Sequence, residues 1–217
     1  MLSWHQKDSE YYELCPYHLK TDGHELVPNP GSIIFENYWQ GLKLYPTVYD
    51  REVYCHHSRR GNPKYLWFKY PTEKHFDEQT DSILPEYYNW RSTLWNTKYP
   101  IRYPNGFNGR HSCKFAVVNN ERLGYIETRK RIYFDEYIRL IRVIPSYHKL
   151  LQLIRAGSNL IIYEVDVPAS TKKGKFGEVD FDGTYECTLA KLDILMKSPD
   201  AAFGHGLCLA YALLTDC

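Results

Sequence analysis

The sequence predicts a single α+β domain, and three observations lead to that prediction. Two polar turns, Asp22-Gly23 and Asn119-Asn120, each separate short runs that favour strands, so each predicts a β-hairpin. Apolar residues recur at helical spacing between Tyr133 and Val143, which predicts an amphipathic helix. The chain has 217 residues, enough for one sizeable core, and we expect one domain over residues 1–217.

The composition is typical of a globular protein and excludes several functional classes. Hydrophobic residues make up 43% of the chain and charged residues 24%, and the formal net charge is +1. Such a charge gives no global field to attract nucleic acid, so a nucleic-acid contact would require a local patch. No apolar run is as long as a membrane span, and the six cysteines form no C-x-x-C pair. We expect a cytoplasmic protein with reduced thiols, no metal or cofactor and no membrane contact.

The N-terminal elements follow from turn and capping residues. The stretch 16–26 is typical of a hairpin around its Asp-Gly turn, and Pro28 and Pro30 then break the chain. Ser32 is a suitable N-cap for a helix that carries Glu36. That helix should end before Pro46, because the residue that precedes a proline is restricted away from helical geometry.

The middle of the chain is harder to assign. Residues 50–110 predict short helices and loops, in a segment rich in tryptophan, proline and tyrosine. Basic and aromatic residues are mixed between Arg59 and Lys69, either as a nucleic-acid surface or, as we favour, as a solvated edge. The run Cys55-His56-His57 is a weak metal candidate, since adjacent residues rarely converge on one ion. A second hairpin should pair residues 115–118 with 123–126.

The C-terminal part predicts helices separated by a strand and two loops. Ser146 should cap one helix and Gly157 should end it, since glycine readily adopts the left-handed conformation that closes a helix. Residues 168–184 are rich in glycine and lysine and predict a surface loop. The other expected elements are a helix over 133–143, a strand over 160–165, a helix over 185–197, a tight turn over 200–206 and a closing helix over 207–214.

A polar stripe is the most informative feature of the sequence. Glu36, Gln40 and Lys43 have the spacing i, i+4 and i+7, so one helix would carry all three side chains on one face. Aromatic residues surround this stripe, namely Phe35, Tyr38, Trp39 and Tyr45. Either the three polar groups face water, which composition alone favours, or the helix lines an active site. A lysine amine among aromatic rings would be a candidate nucleophile.

The glycine-bearing turn Asp200–Gly206 is a second candidate site. Gly204 and Gly206 allow either a positive φ or a close approach of another group to the backbone. The N-terminus of the following helix would then suit an anion such as a phosphate. The alternative is an ordinary loop before a helix, because the spacing by itself is weakly specific.

Three segments, in this order along the chain, resemble the NADAR family, which is linked to NAD and ADP-ribose chemistry. The run from Cys15 to Leu26 is similar to the family's W-P-I-x-x-D-G-x-x-W element. The family's E-x-Y-F/W-Q-x-x-K-F helix is matched at Glu36, Tyr38, Trp39, Gln40 and Lys43. Its D-x-x-W-G-x-G turn is matched at Asp200, Gly204 and Gly206.

The chain also departs from the family pattern. Phe203 stands where the family has tryptophan, His205 stands where it has aspartate, and the glycine loop after Gly206 is shorter. The run Leu160–Glu164 is similar to the family's L-x-E strand, which precedes this turn. The resemblance implies a mainly helical core with short hairpins, into which residues 50–130 and 165–197 would be inserted.

The resemblance implies an N-glycosidase that hydrolyses the C1′–N bond of a ribosylated or ADP-ribosylated base, such as ADP-ribosyl-guanine. It implies that Glu36 handles proton transfer, that Lys43 attacks C1′ to form a Schiff base, and that Asp200 holds ribose hydroxyls or the amine. Substrate-binding roles would fall to Tyr38, Trp39, Gln40, Phe203, Gly204 and Gly206. Whether the substrate is a small molecule that contains ADP-ribose or a nucleic acid is left open, as is the oligomeric state.

Two other interpretations stay open. A protein that keeps this pocket but has lost hydrolysis would bind ADP-ribose or a nucleotide without turnover, which the departures at Phe203 and His205 favour. The third is a structural or interaction protein of a virus or phage, in which residues 50–130 and 168–184 are docking surfaces. A viral protein of any of these kinds would act in the host cytoplasm.

Overall fold

The computed structural model of the protein describes residues 10–22, 33–49, 51–54, 66–164, 186–199 and 203–217. It contains helices and short antiparallel strand pairs, so the predicted α+β class is confirmed. The residues group into an N-terminal unit, Pro16–Gly124, and a C-terminal unit that combines Met1–Cys15 with Tyr125–Cys217. The prediction of one domain stays a prediction. Within the described ranges, no helix has the length and apolar character needed to cross a bilayer.

Short strands and helices build the N-terminal unit. Its described strands are β1 (Lys20–Thr21), β2 (Ile33–Ile34), β3 (Lys43–Leu44), β4 (Thr47–Val48), β5 (Arg51–Tyr54), β6 (Leu66–Tyr70), β7 (Glu73–Lys74), β8 (Phe76–Asp77), β9 (Ser82–Ile83), β10 (Phe115–Val118) and β11 (Glu121–Leu123). Its described helices are α1 (Phe35–Gly41), α2 (Pro85–Trp95) and α3 (Gly106–Gly109), the last followed by a 3-10 turn at Arg110–Ser112. Strands β5 to β9 therefore lie in the segment in which we expected short helices and loops, and that segment also contains α2 and α3.

The strand pairs are all antiparallel. One sheet has three strands in the order β11-β10-β3, and the pairs β1-β2, β4-β7, β5-β6 and β8-β9 stand by themselves. A core of buried side chains joins β3, β4, β8 and β10 to α2 and consists of Leu44, Tyr45, Val48, Phe76, Tyr87, Trp90, Leu94, Ile101 and Val117. This core fixes the position of β3, which carries Lys43.

Helix α1 begins and ends for reasons that differ from the prediction. Ile34 is extended and immediately precedes the helix, so Ser32 is not the N-cap. The helix ends before Pro46, as predicted, but already at Gly41. A Cβ atom on Gly41 would lie 2.3 Å from the indole nitrogen of Trp95, so glycine permits α1 and α2 to pack this closely.

The second predicted hairpin is present, with a shorter second strand. Asn119 and Asn120 have φ values of 49° and 64°, the left-handed pair that a two-residue type I′ turn requires. Because such a turn places residue 121 directly opposite Val118, the partner strand is Glu121–Leu123 and not 123–126. In the first predicted hairpin, around Asp22-Gly23, the first strand pairs with β2, which lies beyond the predicted hairpin, and Lys20 lies opposite Ile34. The remainder of that hairpin, from Gly23 onward, lies outside the described residues.

Helices dominate the described part of the C-terminal unit. They are α4 (Tyr125–Thr128), a π-helical turn (Arg129–Phe134), α5 (Asp135–Ile141), α6 (Pro145–Arg155), α7 (Leu189–Lys197) and α8 (His205–Asp216). Helix α8 is apolar on several faces and packs against α5, α6 and α7, so it forms the centre of this unit. The Tyr137 hydroxyl donates a 2.8 Å hydrogen bond to the carbonyl of Leu14, which attaches a 3-10 turn at Tyr12–Leu14.

Several predicted boundaries in this unit need correction. The helix expected over 133–143 begins earlier, at Tyr125, and the closing helix begins at His205. Pro145 takes the first position of α6, where its fixed φ suits a helix start, so Ser146 is not the cap. Gly157 ends α6 with φ +86°, as predicted. The helix expected over 185–197 begins at Leu189.

The predicted strand over 160–165 is wrong for the residues that the structure describes. Residues 160–164 pair with no described strand. Ile161 is 76% exposed and Tyr163 is 69% exposed. These two apolar side chains suggested a buried strand, but both are exposed to solvent.

Candidate functional site

A chain of three polar side chains runs from α1 to β3. The side-chain amide of Gln40 donates a 2.8 Å hydrogen bond to Glu36 Oε1, and Lys43 Nζ donates a 3.1 Å hydrogen bond to Gln40 Oε1. Glu36 and Gln40 are 6% and 5% exposed, so these two do not lie on a solvated polar face. The amide bonds to both ionisable groups and therefore fixes them relative to each other.

Lys43 reaches this chain from a strand and not from the helix. The expected single helical stripe is wrong at this residue, since α1 ends at Gly41 and Lys43 is the first residue of β3, opposite Ala116. Its ammonium lies 4.7 Å from the centre of the Trp39 ring and is half-buried. A cation over an indole face is stabilised by roughly 0.5–2 kcal/mol. The Lys43 amine, carried by β3, therefore contacts two residues of α1, Trp39 and Gln40.

The two aromatic residues expected to bind substrate differ in their surroundings. Trp39 is 8% exposed and borders the polar chain through Lys43. Tyr38 is fully buried, with its ring 5.5 Å from that of Trp95 and its carbonyl 3.3 Å from the Trp95 indole nitrogen. Tyr38 thus packs between α1 and α2, and Trp39 is the aromatic neighbour of the ionisable groups.

Cys113 also lies close to Lys43, and sequence reasoning did not identify it. Burial raises the pKa of the Cys113 thiol, and the positive charge of Lys43 acts in the opposite direction. Both residues lie at or next to the β3-β10 pairing, where the backbone N–H of Lys114 donates to the carbonyl of Leu44. No local motif signals such a contact, and a thiol with a raised pKa is a poor nucleophile.

In the C-terminal unit, the turn before α8 encloses the carboxylate of Glu164. The backbone N–H of Gly206 donates a 2.6 Å hydrogen bond to Glu164 Oε2, and His205 Nδ1 lies 3.5 Å from the same oxygen. A Cβ atom on Gly204 would lie 2.5 Å from Glu164 Cδ, and one on Gly206 would lie 2.8 Å from Oε2. Both glycines are therefore required for close approach.

This arrangement decides between the alternatives for the glycines and corrects the expectation of a phosphate at the helix start. Gly204 has φ −78°, so the conformation needs no positive φ there. The N-terminus of α8, which we expected to suit a phosphate, receives the carboxylate of Glu164 instead. The carboxylate of Glu164 therefore accepts a hydrogen bond from a backbone N–H at the start of α8, as the side chain of a capping residue would.

Phe203 and Arg129 form a buried contact behind this turn. Phe203 is 7% exposed, with its ring 6.4 Å from that of Phe134 and 5.9 Å from the Arg129 guanidinium. Arg129, only 2% exposed, donates through Nη1 to the carbonyls of Leu195, Met196 and Ser198 at 3.3, 3.1 and 3.0 Å. Phe203 packs in the interior, and Arg129 caps the end of α7. Sequence reasoning did not single out this arginine.

Two buried groups near Glu164 are held in their protonated forms. Burial is the main reason why the pKa of the Cys208 thiol lies well above its usual value, and the charge of Glu164 adds to this effect. The pKa of the Tyr137 hydroxyl is raised for the same first reason, with Cys208, Cys15 and Glu164 contributing. Neither group is a nucleophile at neutral pH.

Some predicted site residues lie outside the described part of the chain. These are Asp200, the candidate metal run Cys55–His57 and the basic residues Arg59, Arg60 and Lys64. The loop predicted over 168–184 is outside it as well. Among the residues that are described, no three histidine, cysteine, aspartate or glutamate side chains group as metal ligands would.

The site residues therefore fall into two groups, each within one unit. Glu36, Gln40 and Lys43 meet beside Trp39 in the N-terminal unit, whereas Phe203, Gly204 and Gly206 belong to the C-terminal unit. No protein-family model, no curated protein and no solved structure matches this chain. The resemblance to the NADAR family stays a hypothesis.

Proposed function

We propose that this protein is an N-glycosidase that hydrolyses the C1′–N bond of a ribosylated or ADP-ribosylated base. The observation that carries the proposal is the hydrogen-bonded chain Lys43–Gln40–Glu36, which holds an amine and a carboxyl group beside the face of Trp39. The motif resemblance to the NADAR family supports it. The fold we propose, within the α+β class, is a mainly helical NADAR-like core.

Cleavage of this bond needs a proton for the departing base and a nucleophile for C1′. Protonated Glu36 donates its proton to the base nitrogen as the C1′–N bond breaks, and the neutral amine of Lys43 bonds to C1′. A proton passes from the Lys43 nitrogen to Glu36 and then to O4′ as the sugar ring opens, which leaves a protonated imine. Water adds to C1′ and its proton returns to Glu36. Collapse of this adduct releases the sugar aldehyde and the free amine.

A second function, binding of ADP-ribose or a nucleotide without turnover, is favoured by one contact. The ammonium of Lys43 lies over the Trp39 ring. A cation–π contact stabilises the protonated amine, and a protonated amine has no lone pair with which to attack C1′. A protein that keeps Lys43 charged would use it to bind an anionic ligand.

The test compares wild type with variants on ADP-ribosylated guanosine, free and within an oligonucleotide. We expect release of the base in wild type, no turnover for Lys43→Ala, and a rate lowered about 10²–10⁴-fold for Glu36→Gln. Borohydride should trap a covalent sugar adduct on wild type and not on Lys43→Ala. Lys114→Ala is the matched control, since Lys114 pairs with Glu78 in the same unit.

The outcomes separate the two functions. Tight binding of ADP-ribose without release of any base would favour the binding protein. Unchanged turnover in both Lys43→Ala and Glu36→Gln would disprove the catalytic assignment. We place this chemistry in the cytoplasm, because Cys113, Cys187, Cys208 and Cys217 are free thiols, as in a reducing compartment.

A further inference from the structure

The N-terminal unit contains a long run of sequence without acidic residues. Between Tyr87 and Asn120 there is no aspartate or glutamate. The same run has five basic residues, Arg91, Lys98, Arg102, Arg110 and Lys114. In a chain whose formal net charge is only +1, this run concentrates positive charge locally.

The centre of this run, residues 97–112, is named here the basic segment. It presents basic and aromatic side chains in alternation: Lys98 is exposed, Tyr99 is 49% exposed, and Arg102 and Tyr103 are half-buried. The Arg102 guanidinium lies 5.0 Å from the centre of the Tyr103 ring. Alternating cations and aromatic faces are the pattern with which proteins follow a single-stranded backbone and stack its bases.

Asn37 holds the basic segment against α1. Its side-chain amide, fully buried, donates to the carbonyls of Thr97 and Tyr99 at 3.3 and 2.8 Å, and its oxygen accepts from the N–H of Ile101 at 2.7 Å. Asn37 follows Glu36 directly in α1. The segment is therefore fixed beside the helix that carries the proposed proton donor.

A second asparagine fixes the other end of the segment. Asn105 donates through its side chain to the carbonyl of Thr47 at 3.1 Å and accepts from the N–H of Tyr49 at 3.3 Å. The Tyr49 side chain is 60% exposed. This contact places a further exposed ring beside the segment. The backbone of the segment is thus fixed by hydrogen bonds, and aromatic rings next to it are open to solvent.

We propose that the basic segment binds single-stranded nucleic acid, with Lys98, Arg102 and Arg110 on phosphates and Tyr99 stacked on a base. Charge complementarity selects a polyanion, and the exposed rings select one whose bases are open for stacking, which a duplex lacks. Binding of this kind does not depend on glycosidase activity, so each can be tested without the other.

Two other basic residues of the same unit serve as controls, one at the end of the acid-free run and one beyond it. Lys114 Nζ pairs with Glu78 at 2.5 Å, and Arg122 pairs with Asp81 at 2.7 Å. Carboxylates already neutralise these two side chains. They are therefore matched controls for the basic residues of the segment, because they share its unit and its charge.

The test is fluorescence anisotropy with a labelled 20-nucleotide single strand of mixed sequence, at several salt concentrations. We expect log Kobs to fall with log salt with a slope of about −2, the value for three phosphate contacts to a single strand. The triple variant Lys98→Gln, Arg102→Gln, Arg110→Gln should lose most of this slope. Tyr99→Ala should weaken binding roughly tenfold, the effect of one lost stack. Circular dichroism checks that each variant is folded. If the triple variant does not fold, the single variant Lys98→Glu, at an exposed position, replaces it in the test.

Several results would overturn the inference. One is no binding by wild type at low salt, and another is equal loss in Lys114→Gln and Arg122→Gln. Tighter binding to the matched duplex would contradict the stacking argument. Equal or tighter binding to vesicles that contain phosphatidylserine, insensitive to Tyr99→Ala, would assign the segment to a membrane surface instead.

Discussion

The carboxylate of Glu164 accepts a 2.6 Å hydrogen bond from the backbone N–H of Gly206, in the first turn of α8. Glu164 is buried, and His205 Nδ1 lies 3.5 Å from the same oxygen. The start of the central helix of the C-terminal unit is thus stabilised by a side chain that lies more than 40 positions earlier in the chain. A glycine-bearing turn before a helix is often assigned to phosphate binding, and here it serves the protein's own carboxylate.

Alanine at either glycine of this turn should destabilise the C-terminal unit. In Gly206→Ala the new Cβ would lie 2.8 Å from Glu164 Oε2, so the carboxylate would leave the helix start. We expect a loss of about 1–2 kcal/mol in the free energy of unfolding, the size of a lost cap. Urea unfolding measures it. Gly124→Ala is the control, because no atom lies within 4 Å of its new Cβ, and an equal loss there would contradict the explanation.

Gly41→Ala should destabilise the N-terminal unit through a clash with α2. The added Cβ would lie 2.3 Å from the indole nitrogen of Trp95, a rigid and buried ring. Overpacking of this kind costs about 1–3 kcal/mol. A double-mutant cycle with Trp95→Leu measures the coupling. If the two losses simply add, the close approach of the helix to the ring is not what requires glycine.

The stability of the protein should fall between pH 6.5 and pH 4 because of His75. This imidazole is fully buried beside the rings of Tyr87 and Trp90, and burial lowers its pKa to about 4, against an opposing effect of Glu86. Since the unfolded chain takes up a proton near pH 6.5 and the folded chain does not, acid favours unfolding across this window. The loss reaches at most about 3 kcal/mol.

Unfolding by urea at a series of pH values checks this prediction. His75→Phe removes the titrating group and should flatten the dependence between pH 6.5 and 4. His111→Gln, at an exposed histidine of the same unit, should keep the wild-type dependence. A chemical shift titration that places the pKa of His75 near 6.5 would contradict the argument, because Glu73 Oε2, 3.7 Å from Nε2, would then be its ion-pair partner.

Asp216 should stabilise the end of α8 at neutral pH and less in acid. It accepts a bidentate pair from Arg142 at 2.9 and 2.7 Å and a 2.7 Å hydrogen bond from the Tyr147 hydroxyl. The Arg142 hydrogen bond is the main reason why the pKa of Asp216 is lowered. For a carboxylate with a lowered pKa, the stabilisation is present above its ordinary pKa and is lost as pH falls through the folded value.

We therefore expect Asp216→Asn to lower the free energy of unfolding at pH 7 by about 1–2 kcal/mol, less than a fully buried pair would. The difference between variant and wild type should shrink toward pH 2. Tyr147→Phe should retain most of the stability, since the Arg142 contact survives. A difference that is constant with pH would show that the carboxylate charge has no part in the stabilisation.

The parts of the fold that follow from local chemistry were predictable. The turn at Asn119-Asn120 and the helix end at Gly157 depend on residues that tolerate a positive φ, and the sequence displays such residues directly. The α+β class followed from these same signals. Glu36 and Gln40 were identified because four residues separate them, one turn of a helix.

The remainder depends on contacts between residues far apart in sequence. Helix α1 ends at Gly41, which packs against Trp95, and Lys43 lies in strand β3 opposite Ala116 and not in the expected helix. The carboxylate at the start of α8 comes from Glu164, which lies 42 positions before Gly206 in the sequence. The strand expected over 160–165 has no partner among the described strands, and apolar composition does not reveal whether a partner strand exists.

Arg129 donates hydrogen bonds to three backbone carbonyls at the end of α7. A hydrogen bond to a backbone carbonyl does not depend on which side chain the residue carries, but it does depend on the path of the backbone. A substitution at Leu195, Met196 or Ser198 that keeps the backbone path preserves these three hydrogen bonds, whereas a proline that tilts one of the carbonyls would leave a buried cation with fewer acceptors. Through these three hydrogen bonds, Arg129 depends on the backbone geometry of the segment and not on the side chains of the three residues.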